Sequence, residues 1–457
     1  MEKHEKSALS ENFLETNLLR CARSAAQGGV PLAIFGEVSS GDQPREPQTL
    51  RQEQLRLLAD TLRRARELPG YRDHFSGVNA ELTAVEQLWR IPVLERQDVQ
   101  RNPGAFRDRT VPSMELHTSG STGMPLTYYL ARKARWRRLA QYARFFMMHG
   151  WRPWHRMLTM KLLQDSSARV GGSCLDRSVF CQRTVVSVLD SPEAQFRVLQ
   201  QIDPHYLHGF PSALEQLSSQ VRRHRWRPKR LRCVFTASEG IEPGVRMHIE
   251  QALDAPVVDQ YGAVEGFVGW QCERRDGYHF NVGSVFVEIV DDDGRPVCPG
   301  EIGRVVITTL DNPAMPLVRY AIGDLAVAGD GTPCPCGRPE PILPRIIGRT
   351  VDMFQFRSGP RSPWALISRM REIDSLMRFQ LAQTDSDTVE VRFRAVDNGC
   401  VDRKKLHALA RSELGDGIRL ELRETIDFQR LPSGKFATAL RLRPESSPEL
   451  ASCTRAS

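Results

Sequence analysis

The chain has 457 residues, room for one large domain and a smaller one, with 40% hydrophobic and 26% charged residues and a formal net charge of +8. No apolar run reaches the roughly 18 residues a membrane span needs, and Met1-Glu-Lys-His-Glu-Lys6 lacks the apolar core of a signal peptide. Ten cysteines scattered without a dense framework point to reduced thiols, so the composition excludes a disulfide scaffold and sets the expectation of a cytoplasmic globular protein with no membrane partner.

Residues 1–48 are polar and weakly periodic, broken at Gly28-Gly-Val-Pro31, and read as a loosely ordered leader. Helices are expected across 49–110, notably Gln54 to Glu67. The stretch Leu116-His-Thr-Ser-Gly-Ser-Thr-Gly-Met-Pro-Leu126 follows. Its hydroxyls donate O–H groups, and Gly120 and Gly123 let backbone N–H groups approach an anion, which is how loops hold polyphosphates. It is not a Walker loop, because Met124 and Pro125 stand where a lysine and a hydroxyl would be needed. The most basic segment, Ala131 to Arg138, continues to Phe146 with apolar residues every three or four positions. That spacing predicts an amphipathic helix with a solvated cationic face rather than a nucleic-acid surface.

From 116 to about 347, apolar runs such as Leu231 to Phe235 end in polar loops and alternate with helical stretches, the pattern of a parallel α/β sheet. Ser284 to Val290 and Gly303 to Thr309, separated by Asp291-Asp-Asp-Gly294, read as antiparallel strands. Strand-like Thr388 to Arg394, a helix at Arg403 to Leu414 and Leu420-Glu-Leu422 close the pattern. The fold class is therefore α/β: a large multi-layer domain over 49–349, with a parallel sheet and an antiparallel β subdomain, and a small α+β lid over 350–445. A disordered tail is expected at 446–457.

Five patches occur in fixed order: Thr118-Ser-Gly-Ser-Thr-Gly123, Gln260-Tyr-Gly-Ala-Val-Glu265, Arg319-Tyr-Ala-Ile-Gly-Asp324, Ile347-Gly-Arg-Thr-Val-Asp352 and Leu431-Pro-Ser-Gly-Lys435. The series resembles the adenylate-forming ligase superfamily. Within it the chain is most similar to the phenylacetate-coenzyme A ligase group and its capsular-polysaccharide-biosynthesis relatives, judging by Glu301 to Thr309, Pro313 to Tyr320 and Cys334-Pro-Cys-Gly-Arg338.

That resemblance implies ATP and Mg²⁺ as cofactors and a carboxylic acid as substrate. Thr118, Ser119, Gly120, Ser121, Thr122 and Gly123 would clasp pyrophosphate, and Glu239, Tyr261, Gly262 and Asp324 would hold the nucleotide. Glu265 would bind Mg²⁺, Arg349 would touch ribose or phosphate, and Lys435 would meet the α phosphate and the acid carboxylate. His208, Gly209, Phe210, Pro211, Ala237 and Phe267 would flank the acid. Cys272, His279, Cys334 and Cys336 form a Cys₃His set suited to tetrahedral Zn²⁺, and the resemblance supports that assignment.

The chain departs from the group's pattern at Met124, usually lysine, at Val264, usually Thr or Ser, and at Val351, usually Asp. Adenylation is expected to survive these changes, whereas the second half-reaction is the step they touch. The expected activity is an ATP-dependent acid–thiol ligase forming an acyl-adenylate. Free coenzyme A, a carrier protein's phosphopantetheine arm and an amine remain open as acceptors, as do a monomer and a homodimer. A catalytically degenerate nucleotide-binding scaffold of the same fold is the reading from another class.

Overall fold

The computed structural model describes residues 46–76, 85–117, 126–152, 154–163, 169–170, 183–349, 354–396, 399–431 and 436–441. The chain divides into two compact units, one formed by Met1–Ile241, Arg246–Gly348 and Leu431–Lys435, the other by Glu242–Val245, Arg349–Arg430 and Phe436–Ser457.

The first unit opens on helix α1, Pro47–Arg66, which starts seven residues before the expected Gln54 because Pro47 supplies a pre-set first turn. Leu58, Leu62 and Ala65 on one face are buried in the main core. A short helix α2, Arg96–Arg101, precedes strands β1, Ser113–His117, and β2, Thr127–Ala131, which pair antiparallel. Helix α3, Arg132–Met148, is the predicted amphipathic helix.

A nine-stranded sheet follows, built from β3 (Met157–Lys161), β4 (Arg169–Val170), β5 (Arg183–Ser187), β6 (Tyr206–Gly209), β7 (Cys233–Ala237), β8 (Val257–Gly262), β9 (Phe267–Trp270), β10 (Tyr278–Phe280) and β14 (Ile342–Leu343), in the order β14-β10-β9-β8-β7-β6-β3-β5-β4. Strands β5, β3, β6, β7 and β8 run parallel. Helices α4 (Pro192–Ile202), α5 (Pro211–Arg223) and α6 (Pro243–Leu253) make the crossovers. The predicted antiparallel pair is β11, Val285–Val290, against β12, Ile302–Thr309, in a second sheet with β13, Tyr320–Val327, and β15, Arg345–Arg349.

Two polar devices fasten the chain around Tyr71 and around Trp89–Ile91 to this second sheet. Tyr71, fully buried, donates from its hydroxyl to Pro316 O and accepts from Val318 N, each at 2.8 Å. Arg319, also without exposure, donates to the carbonyls of Trp89, Ile91 and Gly294 and pairs with Glu288 at 3.1 Å. Buried polar groups persist only when bonded in this way.

The second unit pairs β16, Phe354–Phe356, with β17, Gly359–Arg361, and carries helices α7, Trp364–Met370, and α8, Arg403–Leu414. Its four-stranded sheet has the order β20-β19-β18-β21, from β18 (Leu376–Gln383), β19 (Thr388–Ala395), β20 (Arg419–Glu424) and β21 (Ala439–Arg441). Asp402 caps α8 by accepting from the N–H groups of Lys404 and Lys405. Among the described residues no helix is long and apolar enough to cross a membrane.

Tyr71→Phe removes the acceptor of a buried N–H and should cost about 1–3 kcal/mol in urea denaturation. An unchanged midpoint would show that the tyrosine is not the fastening described.

Candidate active site

The strands that flank the predicted phosphate loop pair from His117↔Thr127 outward. Thr118–Gly123 itself, like Lys435 and Val351, lies outside the described residues. The structure does place the other residues expected to hold the nucleotide. Tyr261 at the end of β8 donates to Asp324 Oδ2 on β13 at 2.7 Å, which joins the two sheets of the first unit. Edge contact with the Tyr278 ring, 6.2 Å between centroids, sets the other side of Tyr261. Gly262 is approached by Gly266 O, 3.3 Å from where a Cβ would stand.

Glu239 follows Ser238, whose φ of +70° bends the chain sharply after β7. Its carboxylate accepts from Ser212 N and Ser212 Oγ, each at 3.0 Å, and so caps the start of α5, where a negative charge is favoured by the helix dipole. Phe210 and Pro211 form the entry to that helix. Gly209 abuts Met160, whose Cβ would lie 3.0 Å from a methyl group placed on the glycine.

Glu265 is 2% exposed and accepts from Tyr320 OH at 3.2 Å and from Arg96 at 3.3 Å. A lone buried carboxylate is compatible with the Mg²⁺ role expected of Glu265, since that ion takes one or two carboxylates and keeps its remaining positions for other oxygens. Arg96 shares that carboxylate, although no sequence motif marks it.

The loop carrying Glu265 is held from below by Arg138, which the sequence pattern assigns to a solvated face. Instead Arg138 is buried, donating to the carbonyls of Val264 and Glu265, each at 2.5 Å, and to Tyr128 OH at 3.0 Å, with Asp311 at 3.6 Å as counter-charge. Asn312 completes the network by donating to Tyr128 OH at 2.8 Å and accepting from Ala131 N at 2.9 Å. The signal is present in the spacing: Ala134, Arg138 and Phe145 fall on one helical stripe, all buried.

Phe267 is 1% exposed and tilted against Tyr142 at 4.6 Å, a core position rather than an open pocket wall. His208 and Ala237 lie at the carboxyl ends of β6 and β7, where parallel sheets bind ligands. Asp259 lies behind them, accepting from Thr236 Oγ1 and Tyr278 OH at 2.6 Å, with burial pushing its carboxyl up to about 6. Arg349 is the last residue of β15.

The four predicted zinc ligands come together, with their donor atoms all within 4.8 Å of one another. Cys272 Sγ and Cys334 Sγ are 3.8 Å apart, and Cys336 Sγ and His279 Nε2 are 3.4 Å apart. With Zn–S near 2.3 Å and Zn–N near 2.0 Å, the edges of a tetrahedron are about 3.8 Å and about 3.5 Å, so the donor set fits. His279 Nδ1 bonds Glu340 O at 3.1 Å, turning Nε2 toward the sulfurs, and burial lowers the ring's basicity and keeps it neutral.

Proteins of known activity resemble this chain. The profile described as AMP-binding enzyme matches residues 170–311. Phenylacetate-coenzyme A ligase of Thermus thermophilus is 30% identical over 335 residues, covering 69% of this chain and 73% of the relative. The chain belongs to the phenylacetate-coenzyme A ligase family. Its members are adenylate-forming ligases, and this ligase is one of them. The Pseudomonas putida phenylacetate-coenzyme A ligase is 27% identical, over 76% of this chain and 82% of that one, and Protein CapK of Staphylococcus aureus is 22% identical, over 70% and 71%. A solved 2-hydroxyisobutyryl-CoA ligase in the postadenylation state shares the fold, with a TM-score of 0.66 at 22% identity over 85% of this chain and 88% of that one.

Arg138→Ala strands the buried Asp311 carboxylate and unbonds two carbonyls, so it should destabilise the protein by about 3–5 kcal/mol. Guanidinium unfolding measures this, and a loss below about 0.5 kcal/mol would place Arg138 at the surface after all.

Proposed function

We propose that this ligase converts a carboxylic acid into its acyl-adenylate with release of pyrophosphate, then passes the acyl group to a thiol, coenzyme A or a carrier-protein phosphopantetheine. A carboxylate resists attack because the attack piles charge on an anion, and adenylation removes that charge while supplying AMP as a leaving group. The protein's task is positional and electrostatic. Support for this reading comes from the Tyr261–Asp324 hydrogen bond beside buried Glu265, with Glu239 fixed at the start of α5.

On this reading Thr118 through Gly123 cradle the β and γ phosphates, Tyr261 lies against adenine and Asp324 accepts from the ribose hydroxyls. Glu265 would hold Mg²⁺, whose charge would offset that of the phosphates, and Arg96, paired with the same carboxylate, would add a second cation there. Arg349 touches ribose or phosphate, and Lys435 supplies a cation to the charge that develops at the α phosphate. Residues 49–349 serve as the adenylation domain and 350–445 as the lid. The enzyme works in the cytoplasm, in keeping with the unpaired thiols of Cys233, Cys298 and Cys400. The names of the relatives favour coenzyme A as the acceptor.

We further infer that Cys272, His279, Cys334 and Cys336 hold a structural Zn²⁺. Four protein ligands leave no open position for water, so the metal ties the loop after β9 and strand β10 to the 334–336 loop rather than taking part in chemistry. Burial, with the neighbouring sulfurs, pushes the Cys336 thiol up to about 12, and a cation is what makes such a cluster stable as thiolates.

Acid-dependent exchange of pyrophosphate into ATP over a panel of aryl and aliphatic acids should reveal at least one active acid, with Lys435→Ala lowering the rate by about 10²–10³-fold. Exchange undiminished in Lys435→Ala would overturn the assigned mechanism. Protein purified without chelator should carry about one zinc per chain, and Cys336→Ser should lower both zinc content and melting temperature. Less than about half an equivalent would overturn the zinc site.

A further inference from the structure

Adenylation as described leaves one polar pair without a role. His208 on β6 and Gln260 on β8 reach toward each other, with Nε2 to Nε2 at 2.8 Å. Gln260 is 4% exposed. The remaining polar atom of each, His208 Nδ1 and Gln260 Oε1, is buried and finds no hydrogen-bond partner among the described residues. Buried polar atoms are nearly always bonded, so two orphans on one touching pair call for a group beyond the described residues, and a ligand supplies one.

The chemistry of that group follows from the pair. If the amide N–H₂ donates to the ring, Nδ1 carries the ring proton and is a donor, while Oε1 is an acceptor. Turning the amide over exchanges these roles and still leaves one donor and one acceptor. The 2.8 Å contact keeps the two orphan atoms within one ring and one amide of each other. A hydroxyl both donates and accepts, so it satisfies either arrangement, whereas a methyl group satisfies neither and a carboxylate cannot donate.

The surroundings keep this pair in working order. Burial first, then the charges of Arg183 and Lys161, hold His208 down to about 3, so the ring remains neutral, with one donor and one acceptor nitrogen, at working pH. The Phe146 ring stands edge-on to His208 at 5.6 Å, an apolar flank that fixes the orientation of the imidazole. Both residues sit near the carboxyl ends of parallel strands, beside Tyr261.

We propose that His208 and Gln260 are specificity-determining residues that receive a hydroxyl substituent of the carboxylic acid, so that the substrate class is hydroxylated acids rather than plain hydrocarbon acids. This rests on the adenylating reading of the same site, and binding measurements separate the two. A site built to bond a hydroxyl rejects the analogue that lacks it far more strongly than a hydrocarbon pocket rejects a lost methylene.

The test uses acids that differ by one hydroxyl: phenylacetate against its ring-hydroxylated and α-hydroxylated counterparts, and isobutyrate against 2-hydroxyisobutyrate. Equilibrium binding by saturation-transfer NMR and acid-dependent pyrophosphate exchange are read in parallel on the full chain. At least one hydroxylated acid should bind about tenfold or more tightly than its partner, and Gln260→Leu should shrink that preference to about twofold or less. His208→Phe, a second variant of similar shape, should do the same, with thermal melts confirming that each variant is folded. Equal binding within every pair, or a preference that survives both substitutions in folded protein, would overturn the proposal. A hydroxyl preference in binding that Gln260→Leu abolishes, with exchange silent for every acid, would uphold hydroxyl recognition and overturn the adenylation reading instead.

Discussion

A guanidinium enclosed in the first unit is the tie on which the geometry around Glu265 depends. Arg138 reaches from helix α3 to two consecutive backbone carbonyls, those of Val264 and Glu265, and to the Tyr128 hydroxyl on β2. Burying a cation is costly unless its hydrogens are used and a counter-charge is near, and Asp311, itself bonded by Ser284 Oγ at 2.8 Å, is that counter-charge. Strand β2 directly follows the sequence of the proposed phosphate loop, so one side chain links that strand to the segment bearing Glu265. Arg138 thereby fixes the backbone of that segment, while Tyr320 and Arg96 bond the Glu265 carboxylate itself, a preorganised arrangement of fixed dipoles and charges.

The rest of the first unit repeats the device at other seams. Arg319 gathers three carbonyls from the segments before α2 and after β11, and its neighbour Tyr320 bonds Glu265. Tyr71 holds the turn that leads into β13. At the far edge of the large sheet, where β14 has only two residues, the Cys₃His cluster lies beside β10 and the β13–β14 loop. The site is thus framed by polar ties across element boundaries, with hydrophobic packing filling the spaces between them.

Much of this is legible in the sequence, and the differences have physical causes. Alternating apolar runs mark the parallel strands, Asp291 to Gly294 marks the antiparallel pair, and the expected helix at Arg403–Leu414 has those same bounds in the structure. Cys-x-Cys spacing with an upstream Cys and His marks four side chains that the fold brings together. Arg138 is buried against expectation because charge alone suggests solvent, whereas its place on the stripe of Ala134 and Phe145 points inward. Nearness to the Tyr-Gly motif suggests a pocket position for Phe267, but strand alternation does not apply in β9, since all four residues of that strand are buried. Arg96 carries no motif signal, because its partner is 169 residues away, and Gln260 opens the Tyr-Gly patch without any sign in the sequence of its contact with His208, 52 residues away.

Everything above turns on whether this framework makes an acyl-adenylate. Rapid quench of stoichiometric enzyme with ATP, Mg²⁺ and a mixture of hydroxylated and unsubstituted acids, in the absence of any thiol, followed by mass spectrometry, observes that species directly. An acyl-AMP mass should appear in proportion to enzyme and disappear when coenzyme A is added. ATP recovered intact from protein that binds it, with no acyl-AMP for any acid, would refute adenylation and leave a nucleotide-binding fold without the chemistry.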